Sequence, residues 1–269
     1  MEAKKNVAII GGGNIGLAIA EGLENSKLYP QTAIYITRRN INPLKEYEER
    51  GFRITNDNKT AVANSDIIII SVQPTQLDEL LIEIKDLIDS NKHLIISIVS
   101  GASIKVFKEA LGKDVQIVRA MPNTAIAIRE SMTCLASDSK TNDSLKVAEK
   151  IFSPVGKTLI IEEDLMIPAT ALCACGIAFF LRAIRAASQG GIEIGFHSEE
   201  ALLMAAQTAK GAASLLVDVE SHPESEVDKV TTPRGCTISG LNQMEHNGFS
   251  SALIKGIVTS AEKAAKLYT

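Results

Sequence analysis

The sequence predicts an α/β N-terminal domain, a Rossmann-type doubly wound parallel sheet, followed by an all-α helical domain. Three observations carry this. The apolar run Val7-Ala8-Ile9-Ile10 stops at Gly11-Gly12-Gly13, and a helical pattern begins at once. Short apolar runs then alternate with amphipathic stretches as far as Ala120, the pattern of parallel strands joined by crossover helices. From about Asp164 onward the strand signals fade and the chain becomes helical and rich in alanine, whose small side chain permits close helix packing. The expected division is 1–162 and 163–269, with the boundary at Glu162-Glu163-Asp164.

The elements follow in order. Residues 6–10 form a buried strand, and 14–23 a helix with Ile15, Ile19 and Leu23 on one face. A strand at 33–37 is followed by a short helix at 42–50 that ends at Gly51. A short strand at 52–55 and a short helix at 58–64 come next. Residues 66–71, DIIIIS, are a continuous apolar run, as a strand covered on both faces requires. An amphipathic helix is expected over 76–88 and a strand over 93–99. Ser103 caps a helix that runs to Leu111, and 115–120 is another strand. Strand signals recur at 132–136 and 159–161; helices are expected over 199–219 and 250–267.

Composition bounds the function. A net charge of −4 supplies no basic field, so nucleic acid is not an expected partner. The four cysteines, Cys134, Cys173, Cys175 and Cys236, contain no C-x-x-C pair and read as free thiols in a reducing compartment. The first apolar run is too short for a signal peptide, and a cytoplasmic location is expected. The stretch 165–181 is the most lipid-like, but it holds Pro168 and is followed by Arg182 and Arg185. A buried helix or helix pair is expected there rather than a membrane span.

Gly11, Gly13 and Gly16 stand at G-x-G-x-x-G spacing between a strand and a helix, the context a dinucleotide site requires. Gly11 allows the tight turn, Gly13 lets a pyrophosphate approach the backbone, and Gly16 lets the helix pack close to the sheet. The first helical N–H groups, at Asn14, Ile15 and Gly16, then face the phosphates. An NAD-type site places an acid about 20 residues further on, against the ribose 2′-hydroxyl. Here Tyr35-Ile36-Thr37-Arg38-Arg39-Asn40 offers two arginines and no carboxylate. A guanidinium binds a 2′-phosphate, so NADPH is favoured, with NADH the weaker alternative.

Acid–base machinery is not evident. His93, His197, His222 and His246 are scattered, and surface or capping roles are expected for each. No H-E-x-x-H or G-x-S-x-G occurs, and no metal site is expected. Hydride transfer needs no such constellation, because the coenzyme carries the chemistry. In the helical half, Val230-Thr231-Thr232-Pro233-Arg234-Gly235-Cys236-Thr237-Ile238 sets hydroxyls, proline and glycine ahead of a helical run. Such a helix start can aim N–H groups at an anion.

Taken together, these segments resemble the pyrroline-5-carboxylate reductase family over essentially the whole chain. Arg119-Ala120-Met121-Pro122-Asn123-Thr124 resembles the family's R-x-M-P-N-T-P, and Thr232–Thr237 its S-P-G-G-T-T loop. Ser71-Val72-Gln73-Pro74 resembles A-V-K-P, and Ser97-Ile98-Val99-Ser100-Gly101 resembles S-I-A-A-G. Asn58 matches the family's adenosine-side asparagine.

The resemblance implies reduction of 1-pyrroline-5-carboxylate to L-proline with NAD(P)H, in proline biosynthesis. It further implies a helical dimerisation domain, interleaved dimers that assemble into rings of five, and an active site completed by the dimer partner. It sets the Thr237 hydroxyl at the imine nitrogen, as the catalytic group. The substrate carboxylate falls to Gly235, Cys236 and Thr237, with Arg234 beside them. Met121, Pro122 and Asn123 line the nicotinamide side.

This chain is a divergent member of the pattern. The family's G-S-G-P-A-[YF] reads Ala174-Cys175-Gly176-Ile177-Ala178-Phe179, with Ile177 in place of proline. A glutamate about two turns further on is Arg185, which reverses a charge in the expected helical core. Gln73 replaces lysine, Ala125 a proline, Arg234 a glycine and Cys236 a threonine. If these changes alter the substrate site, two readings remain. One is a related reductase of another small imino or keto acid. The other is a catalytically weak, NADPH-binding regulatory homologue.

Overall fold

Strand β1 (Val7–Ile10) is fully buried and lies inside the sheet, parallel to β2 (Ile34–Thr37) on one side and β4 (Ile67–Ile70) on the other. The computed structural model describes residues 5–138 and 143–266. β3 (Arg53–Thr55), β5 (Leu94–Ser97), β6 (Gln116–Met121), β7 (Ser131–Ser137) and β8 (Gly156–Ile160) complete one eight-stranded sheet of order β3-β2-β1-β4-β5-β6-β7-β8.

The alternation of strand side chains builds two cores. Val7, Ile9, Ile34, Ile36, Ile67 and Ile69 face a layer that includes Ile19 and Leu23 of α1 (Asn14–Ser26). Ala8, Ile10, Ile68 and Ile70 face the opposite layer. The short helices α2 (Lys45–Glu49) and α3 (Asn58–Ala63) precede β3 and β4. Ala61 and Val62 of α3 join the second core with Leu77, Leu81 and Ile84 of α4 (Leu77–Ile84), and Phe107 of α5 (Ile104–Leu111). Residues 67–70 are four isoleucines with essentially no exposure, so both faces of β4 are covered. Each contributes about 1.5–3 kcal/mol of burial free energy.

The predicted helix starts hold. The Ser103 hydroxyl accepts from Val106 N at 3.4 Å and caps α5. The amphipathic run 76–88 is helical, but only α4 is a regular α-helix; tighter 3₁₀ turns flank it at Pro74–Gln76 and Lys85–Leu87.

The sheet is parallel except at one junction. β7 runs antiparallel to β6, with Met121 opposite Cys134. The connection, 122–130, is too short for a crossover helix and carries only a 3₁₀ turn, Thr124–Ile128. β8 returns parallel to β7 through α6 (Asp143–Phe152).

The chain divides into two compact units, Met1–Cys175 with Ser260–Thr269, and Gly176–Thr259. The first unit therefore continues past the expected boundary at 162. Residues 163–175 belong to it: the turn Glu163–Leu165, α7 (Met166–Ala169) and a π-helical segment Thr170–Cys175. Pro168 has no N–H to donate inside this helix, and Thr170 Oγ1 donates to the Met166 carbonyl at 2.8 Å. α8 (Gly176–Glu193) continues directly, so Ile177 introduces no break.

The second unit holds α8 and α9 (Ser198–Val217), then α10 (Pro223–Val230), α11 (Cys236–His246) and the greater part of α12 (Phe249–Ala264). α8 and α9 pack closely: a Cβ on Gly191 would lie 3.0 Å from Ala201 Cβ. Gly195, at φ +114°, ends the turn between them. The expected last helix, 250–267, is observed as α12; Leu267 lies outside the described residues.

Two expectations are corrected here. The lipid-like stretch 165–181 belongs to a single helical run, Glu163–Glu193; Met166, Ala169 and Ala171 are buried, but much of the rest is not covered within the chain. Leu172, Phe180 and Leu181 are all more than half exposed. Leu203, Ile254 and Val258 are exposed likewise, and so many exposed apolar side chains mark an interaction surface. Arg185 is exposed rather than in a helical core.

Glu163 joins the start of this helical run to the sheet. Its Oε1 accepts from Ile104 N at 2.6 Å and from Nη1 of the buried Arg119 at 3.2 Å. Arg119 of the R-x-M-P-N-T signature is thus a strut. Glu163→Gln leaves its guanidinium buried without a counter-charge. The expected cost is about 2–3 kcal/mol, below the roughly 3–5 kcal/mol usual for a broken buried pair because Glu163 is partly exposed. Urea unfolding at fixed protein concentration measures it, and a loss under about 0.5 kcal/mol would mean that Arg119 is solvated instead.

Candidate functional site

The polypeptide leaves β1 through Gly11, whose φ of +111° suits glycine. The N–H groups of Gly11 and Gly12 both donate to the Thr37 carbonyl, at 3.2 and 2.6 Å, which pins the turn to the end of β2. Ser71, just past β4, closes the other side. Its hydroxyl donates to the Gly11 carbonyl at 2.6 Å. A Cβ on Gly11 would lie 2.6 Å from Ser71 O, and one on Gly16 would lie 2.3 Å from Gly11 O.

Gly13 differs. A Cβ there would meet nothing within 4 Å, so its missing side chain leaves open space at the mouth of the turn. Gly13 is the N-cap of α1 and has no side chain to cap the first N–H groups of the helix, and no such cap occurs among the described residues. This is an anion cradle at the carboxyl ends of the strands, where the strand order reverses.

The cradle opens into a cavity of about 600 Å³. Of the residues expected to hold a coenzyme, Gly11, Gly13, Arg38, Arg39, Asn58, Ser71, Val72 and Gln73 line it. Pro74 starts the turn into α4. Arg38 Nη1 donates to the Gly12 carbonyl at 3.2 Å, which ties one guanidinium to the glycine turn. Arg39 lies 3.6 Å from Glu79, both side chains largely exposed. Asn58 is fixed from two sides: its Oδ1 accepts from Thr37 Oγ1 at 2.7 Å, and its Nδ2 donates to Glu83 Oε2 at 2.9 Å. The cradle, the paired arginines and the open space at Gly13 fit a dinucleotide carrying an additional phosphate.

Sequence reasoning missed Gln76, Glu79 and Glu83, which also line the cavity. Their spacing of three and four residues sets them on one helical face, a legible signal. What the spacing could not tell is that this face borders the coenzyme cavity. A groove of about 680 Å³ beside α5, lined by Lys105, Lys108 and Glu109 among others, holds none of the expected coenzyme residues.

Met121 and Asn123 stand at the end of β6, both buried. Neither lines the glycine cavity. Asn123 Oδ1 accepts from Ala125 N at 3.0 Å, and Nδ2 donates to the Cys173 carbonyl at 3.4 Å. The amide therefore braces the turn after β6 against the π-helical segment. Met121 packs in a small core with Cys134, Ala136, Met166 and Ala169. The thiols of Cys134 and Cys173 meet beside it. Hydrogen bonding between them, with burial, pushes Cys134 up, and the same hydrogen bond draws Cys173 down to about 7. All four cysteines are free.

The second candidate segment lies in the other unit. Gly235 N-caps α11, so Cys236 and Thr237 open the helix as the first-turn pattern requires. The loop before it is tight: Gly235 N donates to the Thr232 carbonyl at 2.9 Å, and a Cβ on Gly235 would lie 2.5 Å from Thr232 Oγ1. Arg234 adopts φ +61°, a left-handed conformation that explains why the family pattern has glycine there. Arg234 and Cys236 are exposed, and Thr237 is half-buried.

The histidines serve as caps and supports. His222 Nδ1 accepts from Glu224 N at 3.3 Å at the start of α10, and His197 is the N-cap of α9. His93 Nδ1 accepts from Asp89 N at 2.9 Å, and burial, the main cause, pulls its pKa below the ordinary value. His246 lies in the last turn of α11. Among the described residues no group of three His, Cys, Asp or Glu could hold a metal ion.

Two family models match parts of the chain. A family model described as "Pyrroline-5-carboxylate reductase dimerisation" matches residues 163–267, and one described as "NADP oxidoreductase coenzyme F420-dependent" matches 6–101. Over 98% of its length the chain is 56% identical to pyrroline-5-carboxylate reductase 1 of Dictyostelium discoideum, and it spans about half of that relative. It is 50% identical to pyrroline-5-carboxylate reductase 2 of the same organism, covering 99% of this chain and 94% of the relative. A solved pyrroline-5-carboxylate reductase from Coxiella burnetii superposes with a TM-score of 0.92 at 29% identity, covering 99% of this chain and all of the other.

The glycine geometry yields a contrast between two alanine variants. Gly16→Ala forces its Cβ onto the Gly11 carbonyl, and the expected cost is about 1–3 kcal/mol of stability. Gly13→Ala has room and loses only the N-cap preference for glycine, so its stability should fall by no more than about 1 kcal/mol. Its methyl group intrudes where the pyrophosphate must approach, so coenzyme binding should weaken by about tenfold or more. Thermal melts and coenzyme titrations of both variants check this, and equal loss of stability would refute it.

Proposed function

The chain belongs to the pyrroline-5-carboxylate reductase family, and on that premise we propose that it reduces 1-pyrroline-5-carboxylate to L-proline with NAD(P)H as coenzyme. The observation that carries this reading is the 50% identity to reductase 2 across 94% of that protein's length. The coenzyme, when bound, supplies the hydride that reduces the carbon–nitrogen double bond.

The protein's own residues bind and orient. The N–H groups at the start of α11, with Gly235 as the N-cap, suit a carboxylate, and Arg234 adds a cation to the same loop. The Thr237 hydroxyl, in the first turn of α11, is the group proposed to hydrogen-bond the imine nitrogen and manage its proton. Arg38 and Arg39 are proposed to bind a 2′-phosphate, which favours NADPH over NADH. Met121 and Asn123 support the nicotinamide side through the braced turn after β6. Residues 1–162 are read as the coenzyme domain, and 163–269 as the dimerisation and substrate domain.

The apolar face of α8, α9 and α12 supports a homodimer formed through these helices, and rings of five dimers are proposed from the family resemblance. A cytoplasmic location and the lack of nucleic-acid and membrane partners remain part of this reading. Arg234 favours a second reading in one respect, a different cyclic imino acid, which a substrate panel distinguishes.

Oxidation of NADPH in the presence of 1-pyrroline-5-carboxylate tests the activity. Thr237→Ala should lower kcat by about a hundredfold or more, the usual scale for a lost proton-handling group, with little change in coenzyme affinity. An inactive wild type that still binds NADPH would overturn the assignment. Separately, Leu203→Glu places a charge on the apolar face and should shift the protein to a smaller species by light scattering. An unchanged mass would exclude that face as the dimer contact.

A further inference from the structure

The arginine pair at the end of β2 is not the whole electrostatic environment of the coenzyme cavity. Two carboxylates enter it from α4, Glu79 and Glu83, and they are held differently. Glu83 is committed, because it accepts from Asn58, whose own oxygen is taken by Thr37. Glu79 faces Arg39 at 3.6 Å, with side chains 81% and 78% exposed. A pair so exposed is weak, screened and readily broken. Arg38, in contrast, is tied to the Gly12 carbonyl and has no carboxylate partner among the described contacts.

We propose that Glu79 is a specificity-determining residue that sets the balance between NADPH and NADH by competing with the 2′-phosphate for Arg39. The inference rests on the reading of Arg38 and Arg39 as the phosphate site. A phosphate approaching Arg39 must displace the Glu79 carboxylate and then remain close to it, like charge beside like charge. A free 2′-hydroxyl meets no such conflict, since a carboxylate accepts its hydrogen bond. Glu79 thus supplies from α4 the acidic group that is missing at the end of β2, and it penalises the phosphorylated coenzyme alone. The chain's preference for NADPH is then weaker than two unopposed arginines would give.

Isothermal titration of the full chain with NADPH and with NADH, for the wild type, Glu79→Gln, Arg39→Gln and the double variant, tests this. Both positions of change, Glu79 and Arg39, are exposed. Glu79→Gln should raise the ratio of the NADH to the NADPH dissociation constant by about three- to fivefold at low salt, as expected of an exposed charge pair. The rise should shrink as potassium chloride is added and become smaller in the Arg39→Gln background, where only the direct repulsion remains. An unchanged ratio in Glu79→Gln, with a lowered ratio in Arg39→Gln, would overturn the role of Glu79 and leave the phosphate site standing. An unchanged ratio in Arg39→Gln would overturn both. A rise of undiminished size without Arg39 would also overturn the competition.

Discussion

The close approach of three backbone segments, at Gly11, Gly16 and Ser71, is the constraint on which the coenzyme half depends. With no Cβ at Gly11 and Gly16, the turn after β1 lies directly against the end of β4, and α1 starts in close contact with both. The same helix is held down further along, where a Cβ on Gly22 would lie 2.1 Å from Val155. With α1 fixed at both points, its uncapped N-terminus can point in only one direction, into the cavity between β1 and β4. The cradle is therefore a consequence of packing. The phosphates would meet N–H groups that were oriented before they arrived, so little ordering entropy is lost on binding.

Polar order in the cavity follows from that placement. Thr37 ends a buried strand, so its hydroxyl must find a partner, and it finds Asn58 across the gap at the start of α3. Asn58 then has one amide direction left, toward Glu83. The adenosine side is thus arranged by a chain of donors and acceptors that begins in the sheet. At the far side of the sheet, Arg119 and Asn123 of the M-P-N-T segment do comparable work, bracing β6 against the helical run that starts at Glu163. The family signature there is a set of braces.

Much of this was legible in the sequence for local reasons. A glycine cluster between a strand and a helix has few physical uses, and the runs of isoleucine could only be strands covered on both faces. Ser103 stood where a helix cap is expected, and it is one; His197 and His222, expected in surface or capping roles, are N-caps too. What remained hidden depends on relations between distant segments. The antiparallel entry of β7 is set by the length of 122–130 and by which sheet edge was open, and neither is a local property. The face of α4 with Glu79 and Glu83 is amphipathic like any surface helix, and only the strand order turns it toward the coenzyme cavity. The apolar stretch 165–181 looked like core because apolar periodicity does not say which molecule supplies the cover. In one chain its face is open.

The departures from the family pattern can be weighed on the same footing. Arg234 holds the left-handed conformation that glycine would adopt freely, at a cost of about 1–2 kcal/mol. That cost has not moved the loop. Gly235 still sits against Thr232, and α11 still begins at Cys236. Ile177, in place of proline, leaves the helix continuous from the π-helical segment into α8. Arg185 points to solvent in the single chain, so its reversed charge requires no buried partner there. Gln73 keeps its place at the cavity wall and gives up only a positive charge, while Arg38 and Arg39 remain. In each case the backbone that presents the site is retained, and what changes is the side chain offered. A substitution of this kind tunes charge and fit, because the geometry that orients the helix starts of α1 and α11 is set by glycines that this chain has kept.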